Sequence, residues 1–212
     1  VGTMAFSACS DSTGPDPGPP EAITELPRSL TGTEEQVISG SRSFGFALLR
    51  EVDSEREETH GNTILSPLSA SMALGMALVG AEGETFSAMR DALGYAAMTR
   101  EDVYASYEGI QDLLLDLDGD VEIRLANSAW SREGFPFQAE FFEGVTRHFD
   151  ATVRELDFSD PSARDTINRW VEEKTDGHIQ EIVQQIRSLD VLFLVNALYF
   201  QGDWTTRFEK DD

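Results

Sequence analysis

The feature that most limits what this chain can fold into is an apolar run near its carboxyl end. Val191, Leu192, Phe193, Leu194, Val195, Ala197, Leu198, Tyr199 and Phe200 follow one another almost without a break and stop before Gly202. A short run rich in β-branched and aromatic residues and closed by a turn residue is predicted to be a strand covered on both faces. It falls well short of the ~20 apolar residues that a bilayer-crossing helix needs, so the rest of a folded protein has to shield it, and residues 191–200 are expected to be a central strand. Asn196 alone interrupts the run. An unpaired buried carboxamide costs about 1–3 kcal/mol, so Asn196 is expected to have specific partners, and a local bond to a neighbouring strand end is enough to satisfy it.

The preceding chain supplies elements to cover this strand. Thr33 and Gln36 fit a capping box, and Val37, Ser41, Phe44, Leu48 and Val52 recur on one helical face, with the charged tract 53–60 as an exposed loop. Residues 62–65 are predicted to be a short strand. Ser66 and Pro67 then stand at the cap and first-turn positions of a helix over 67–79 that contains no charged residue and is therefore predicted to be buried. A third helix over 84–93 stops at Gly94. Thr99 caps a fourth, amphipathic one with Val103, Tyr107, Ile110, Leu114 and Leu117 on one face. Val121, Ile123 and Leu125 alternate with Glu122 and Arg124, which predicts a strand over 121–131. Phe137, Phe141, Val145 and Phe149 mark a helix, 152–158 a strand, and Asp160-Pro161 opens a helix with Ile167, Trp170 and Val171. Ile179, Ile182 and Val183 continue that apolar pattern. The class is α+β.

The stretch Val195 to Phe208 resembles the serpin signature, in which a buried strand carries Asn, Phe, Gly, Trp and Phe, here Asn196, Phe200, Gly202, Trp204 and Phe208. Two other blocks are similar to serpin sequences in the same order and spacing: Asn62, Ser66, Pro67 and Ser69 running to Gly80 and Thr85, and Ile167, Asn168, Trp170 and Val171 with Thr175, Gly177 and Ile179. Asp190 departs from the pattern, which has Thr there, and a carboxylate alters the polar contacts of the strand end.

The resemblance implies a serpin fold, incomplete at the carboxyl end, with the chain as the amino-terminal part of a larger domain. It implies inhibition of serine proteases, with cysteine proteases as a second target class, by cleavage of an exposed loop that inserts into the main sheet. A non-inhibitory serpin acting as a binding or carrier protein is the alternative. Ser66, Ser69 and Asn196 match the polar "shutter" beneath the insertion gap and Trp204 the "breach" where insertion starts. The plainer assignment of Ser66 as an N-cap and Ser69 as a small packing residue stands beside this. A monomer without cofactors is expected.

The 39 acidic and 16 basic residues give a formal charge of −23, which opposes binding to phosphate backbones and excludes a nucleic-acid partner. His60, His148 and His178 are dispersed, and GxSxG, HExxH and Walker-type glycine loops are absent from the sequence, so an enzyme is not expected. Acidic residues 116–122 imitate a calcium loop, but Val121 replaces the required Gly, leaving a polar turn. The single cysteine, Cys9, rules out an internal disulfide framework. Ala5-Phe6-Ser7-Ala8-Cys9 before a Pro/Gly-rich run is similar to the end of a bacterial lipoprotein signal, with Phe6 where Leu is usual. Residues 1–28 are therefore expected to be a signal remnant and flexible leader and 29–212 the serpin portion. Lipidation of Cys9 would attach the protein to a bacterial envelope; an ordinary cut signal would leave it secreted.

Overall fold

A computed structural model describes residues 25–54, 62–117 and 121–202. They contain six helices and three strands: α1 (Gly32–Ser54), α2 (Pro67–Val79), α3 (Gly83–Ala92), α4 (Arg100–Leu115), β1 (Val121–Arg132), α5 (Ala139–Phe149), β2 (Thr152–Leu156), α6 (Ser162–Lys174) and β3 (Leu192–Gly202). The α+β expectation holds. None of the described helices is long and apolar enough to cross a membrane.

The strands form one sheet in the order β2-β1-β3. β1 and β2 run parallel with α5 as their crossover, since parallel neighbours need a long connection. β1 and β3 run antiparallel from Val121 opposite Gly202 to Ser131 opposite Leu192. Within the described sheet β1 lies between β2 and β3, and the apolar run is a strand as expected. Residues 62–65 form irregular chain rather than a strand, and Ile64 is 90% exposed.

Alternate residues of β1 and β3 serve two separate cores. On one face Ala129, Leu125, Leu192 and Leu194 pack with Met72, Met76, Tyr107 and Phe149 from α2, α4 and α5. On the other, Trp130, Val195 and Ala197 pack with Ile167, Trp170 and Val171 of α6, and the two indoles meet edge to face at 6.0 Å. α2 begins and ends as expected. The Ser66 side chain accepts from the Ser69 N–H, and the Gly80 N–H returns to the Ala77 and Leu78 carbonyls. Gly75 lets Phe149 and Tyr107 approach so closely that an added Cβ would lie 3.0 Å from both rings.

The cap of α1 differs from the expected one. The reciprocal pair is Thr31 and Glu34: the Glu34 N–H donates to Thr31 Oγ1 at 3.2 Å and the Thr31 N–H donates to Glu34 Oε2 at 2.7 Å. Thr33 and Gln36 share the same spacing, but Glu34 also accepts two bonds from Arg28, which in turn reaches the Gly109 carbonyl of α4 at 2.6 Å. Tertiary contact decided between two equivalent local signals.

Candidate functional site

The antiparallel register places Asn127 of β1 directly opposite Asn196 of β3. Both side chains point to the α2 face. Asn196 Nδ2 donates to Asn127 Oδ1 at 2.9 Å and contacts Met72 Sδ of α2 at 3.5 Å. Asn127 Nδ2 donates to Gln111 Oε1 of α4 at 2.9 Å and to the Phe149 carbonyl at 2.7 Å. Gln111 Nε2 ends the series on the carbonyls of Tyr107 at 3.2 Å and His148 at 3.0 Å. Asn127 is 2% and Gln111 7% exposed, so these bonds form where water competes little and where an unmade bond is costly. Asn196 Oδ1 is shielded yet accepts no hydrogen bond among the described residues.

Ser66 and Ser69 lie at the start of α2, where Ser66 Oγ accepts from the Ser69 N–H at 3.2 Å and donates to Ser69 Oγ at 2.9 Å. The contact that joins α2 to Asn196 comes instead from Met72, one turn further along the helix. Of the expected shutter residues, Asn196 therefore stands within the sheet and against α2, while Ser66 and Ser69 bond to one another. Trp204 and Cys9 lie outside the described residues. Asn127 and Gln111 were not singled out from the sequence. A polar residue inside a strand at the same spacing as an inward-facing Ala129 is the only local signal for Asn127, and Gln111 has none, being one polar residue on a polar-rich helix.

The outer face carries a second polar fastening. Asn168 of α6 accepts from the Ile182 and Val183 N–H groups at 3.0 and 2.9 Å and donates to the Val183 carbonyl at 2.9 Å. The segment that continues the apolar pattern past α6 is irregular chain, held to α6 by one carboxamide that imitates a strand's backbone. Asp190 closes the turn before β3 by accepting from the Arg187 N–H at 2.8 Å and from its guanidinium at 3.2 Å. These bonds, the main-chain one foremost, hold its carboxyl below the usual range.

Tyr95, Tyr107 and Ser71 tie the helical layer together. Tyr95 OH lies 2.7 Å from Ser41 Oγ and 2.8 Å from Tyr107 OH, which donates to the Ser71 carbonyl at 2.9 Å. Burial pushes the Tyr107 phenol well above its ordinary value. His148 stacks on Tyr104 at 5.0 Å with its Nδ1 3.7 Å from Glu108, and His178 stacks on Tyr199 at 5.4 Å. His60 lies outside the described residues. Carboxamides and hydroxyls of this kind exchange hydrogen-bond partners as elements separate; they neither accept nor release protons near neutral pH.

The family model described as "Serpin (serine protease inhibitor)" matches residues 39–212. Iripin-1 of Ixodes ricinus is 34% identical over 181 residues, covering 83% of this chain and 45% of that protein. Leukocyte elastase inhibitor of Xenopus tropicalis is 32% identical over 182 residues, covering 84% and 47%. Among solved structures, the thermophilic serpin tengpin in its latent state has a TM-score of 0.73 at 28% identity, covering 87% of this chain and 48% of that one. The chain spans less than half the length of these relatives.

Proposed function

The chain belongs to the serpin family, and from that premise we propose that the complete protein inhibits serine proteases by inserting its cleaved reactive loop beside β3. The observation that carries this reading is β3 itself. It is an 11-residue strand that pairs with β1 along one side and lies at the margin of the described sheet. Loop insertion is strand addition, for which a long, regular strand is the template. At a net ~1 kcal/mol per hydrogen bond, a ladder of that length contributes on the order of 10 kcal/mol. That matches the 5–15 kcal/mol that holds a typical folded domain together, so insertion can distort a protease still bonded to the loop.

Asn196, near the middle of β3, supports the same reading. Its Nδ2 ties β3 to Asn127 of β1 and to Met72 of α2, contacts that can change partners when the sheet is remodelled. The names of the relatives, one of them an elastase inhibitor, favour a serine protease as target, with cysteine proteases second. The protein acts as a monomer, and Cys9, in its Ala5-Phe6-Ser7-Ala8-Cys9 setting, attaches it to a bacterial envelope by lipidation. The mass of the Cys9 peptide from a membrane fraction tests the attachment.

The activity is tested by incubating the full-length protein with trypsin-, chymotrypsin-, elastase- and subtilisin-like proteases and one papain-like protease. The expected product is an adduct that survives SDS. Clean loop cleavage without adduct across the panel would favour the carrier alternative.

A further inference from the structure

β1 outruns its parallel neighbour. It extends from Val121 to Arg132, but its pairing with β2 begins only at Ser128, opposite Thr152. The Arg132 N–H donates to the Val191 carbonyl ahead of β3, and the Glu133 N–H donates to the Leu156 carbonyl of β2, both at 2.9 Å. Main-chain groups alternate sides along a strand, so even-numbered residues of β1 bond towards β3 and odd-numbered ones towards the side of β2. Ile123 and Leu125 therefore direct their N–H and C=O groups, and Asn127 its N–H, past the start of β2, where none bonds to a described residue. A recess of about 410 Å³ lies at this edge, walled by α4, the end of α5 and α6. These walls are internal elements of the chain, and the volume is that of a ligand site.

The two sides of the recess differ in charge. α4 and the end of α5 contribute three carboxylates, Glu108, Asp112 and Asp150, which outweigh Arg147 and His148, whereas α6 contributes Lys174 beside the Trp170 indole. Asp112, Asp150, Arg147 and Lys174 form no ion pair among the described residues, although they line one cavity. We propose that the unpaired edge of β1 binds an extended peptide as an added strand in line with β2, with basic side chains turned to α4 and acidic ones to Lys174. Side chains of a strand alternate between its faces, so the recognised sequence is one in which basic and acidic residues alternate. Main-chain bonds to Ile123, Leu125 and Asn127 supply affinity, and the two walls supply selectivity.

The test uses the full-length protein and two fluorescent peptides of one composition, acetylated and amidated: Val-Lys-Glu-Lys-Glu-Val and Val-Lys-Lys-Glu-Glu-Val. As strands, only the first sorts its charges by face. At low ionic strength it should bind about tenfold more tightly than the second, and the difference should shrink as salt screens the walls. Hydrogen exchange at the Ile123, Leu125 and Asn127 amides should slow when it binds. Lys174 is an exposed side chain, so Lys174→Glu leaves the fold intact; it should abolish the preference and favour Val-Lys-Lys-Lys-Lys-Val instead.

Equal affinity for the two isomers, no binding of either, or protection along β3 in place of β1 would overturn the proposal. Adduct formation with proteases is a separate readout, and its success or failure leaves this edge of β1 untouched.

Discussion

Replacing Asn168 by Ala removes three hydrogen bonds at once, two accepted from the Ile182 and Val183 N–H groups and one donated to the Val183 carbonyl. The cost depends on which orphaned groups water can reach. Ile182 is 47% exposed and its N–H can be rehydrated, whereas Val183 is 6% exposed within the Trp130, Ile167 and Trp170 cluster. Two buried backbone groups at about 1–2 kcal/mol each give about 2–4 kcal/mol. If the segment lifts away instead, the loss becomes that of burying Val183, about 1.5–2 kcal/mol, offset in part by the freedom the segment gains. The cheaper route sets the cost, so the destabilisation should be about 1–2 kcal/mol, or a fall in melting temperature of about 2–8 °C. Asn168→Asp keeps the two acceptor bonds but sets a carboxylate oxygen against the buried Val183 carbonyl, so it should cost at least as much as Asn168→Ala. Urea unfolding of the three proteins, together with hydrogen exchange at the Val183 amide, checks the argument. A loss under about 0.5 kcal/mol in Asn168→Ala with the Val183 amide still protected would refute it.

Three further outcomes follow from the packing of α1. Hydrogen bonds from Arg28, helped by the Thr31 N–H and opposed by burial, hold the Glu34 carboxyl at about 2 against its ordinary 4.5. A carboxyl whose folded value is depressed stabilises fully above its unfolded value and loses that contribution as pH falls towards the folded one. The urea midpoint should therefore drop between pH 4.5 and pH 2, and Glu34→Gln should flatten that limb; an unchanged slope would show that the pair contributes nothing. Gly40→Ala places a Cβ 2.5 Å from the Gly94 carbonyl oxygen, a backbone atom that cannot step aside, and should cost at least about 1–3 kcal/mol in thermal unfolding. Gly32→Ala, with open space around it at the first turn of the same helix, should be neutral or stabilising by up to about 1 kcal/mol.

The fold was legible where chemistry is local. Ser66-Pro67, a charge-free run and Gly80 delimited α2 to the residue, and Thr99 capped α4 as its sequence predicted, accepting from the Asp102 N–H. The alternation of Val121, Ile123 and Leu125 marked β1. What stayed hidden depends on residues far apart in the chain. The rank of β3 in the sheet is set by a pairing between 127 and 196, and the choice of Thr31 over Thr33 as cap by Arg28 bridging Glu34 to α4. At the candidate site, Asn196 was conspicuous because it breaks an apolar run. Its partners were not, since Asn127 sits among Ser128 and Ser131 and Gln111 between Ile110 and Asp112, and only tertiary packing separates a buried amide from a solvated one. Ser66 and Ser69 matched a family pattern, yet the side chain of α2 that meets Asn196 is Met72, a residue whose sequence context suits any core.

The measurement closest to the central claim is hydrogen exchange along β3 in the full-length protein before and after proteolytic cleavage of its reactive loop. Insertion would pair the amides of Leu192–Gly202 that do not face β1, so their exchange should slow by at least about tenfold, with a rise in melting temperature on cleavage. Unchanged exchange along β3 and an unchanged melting temperature in the cleaved protein would contradict the account.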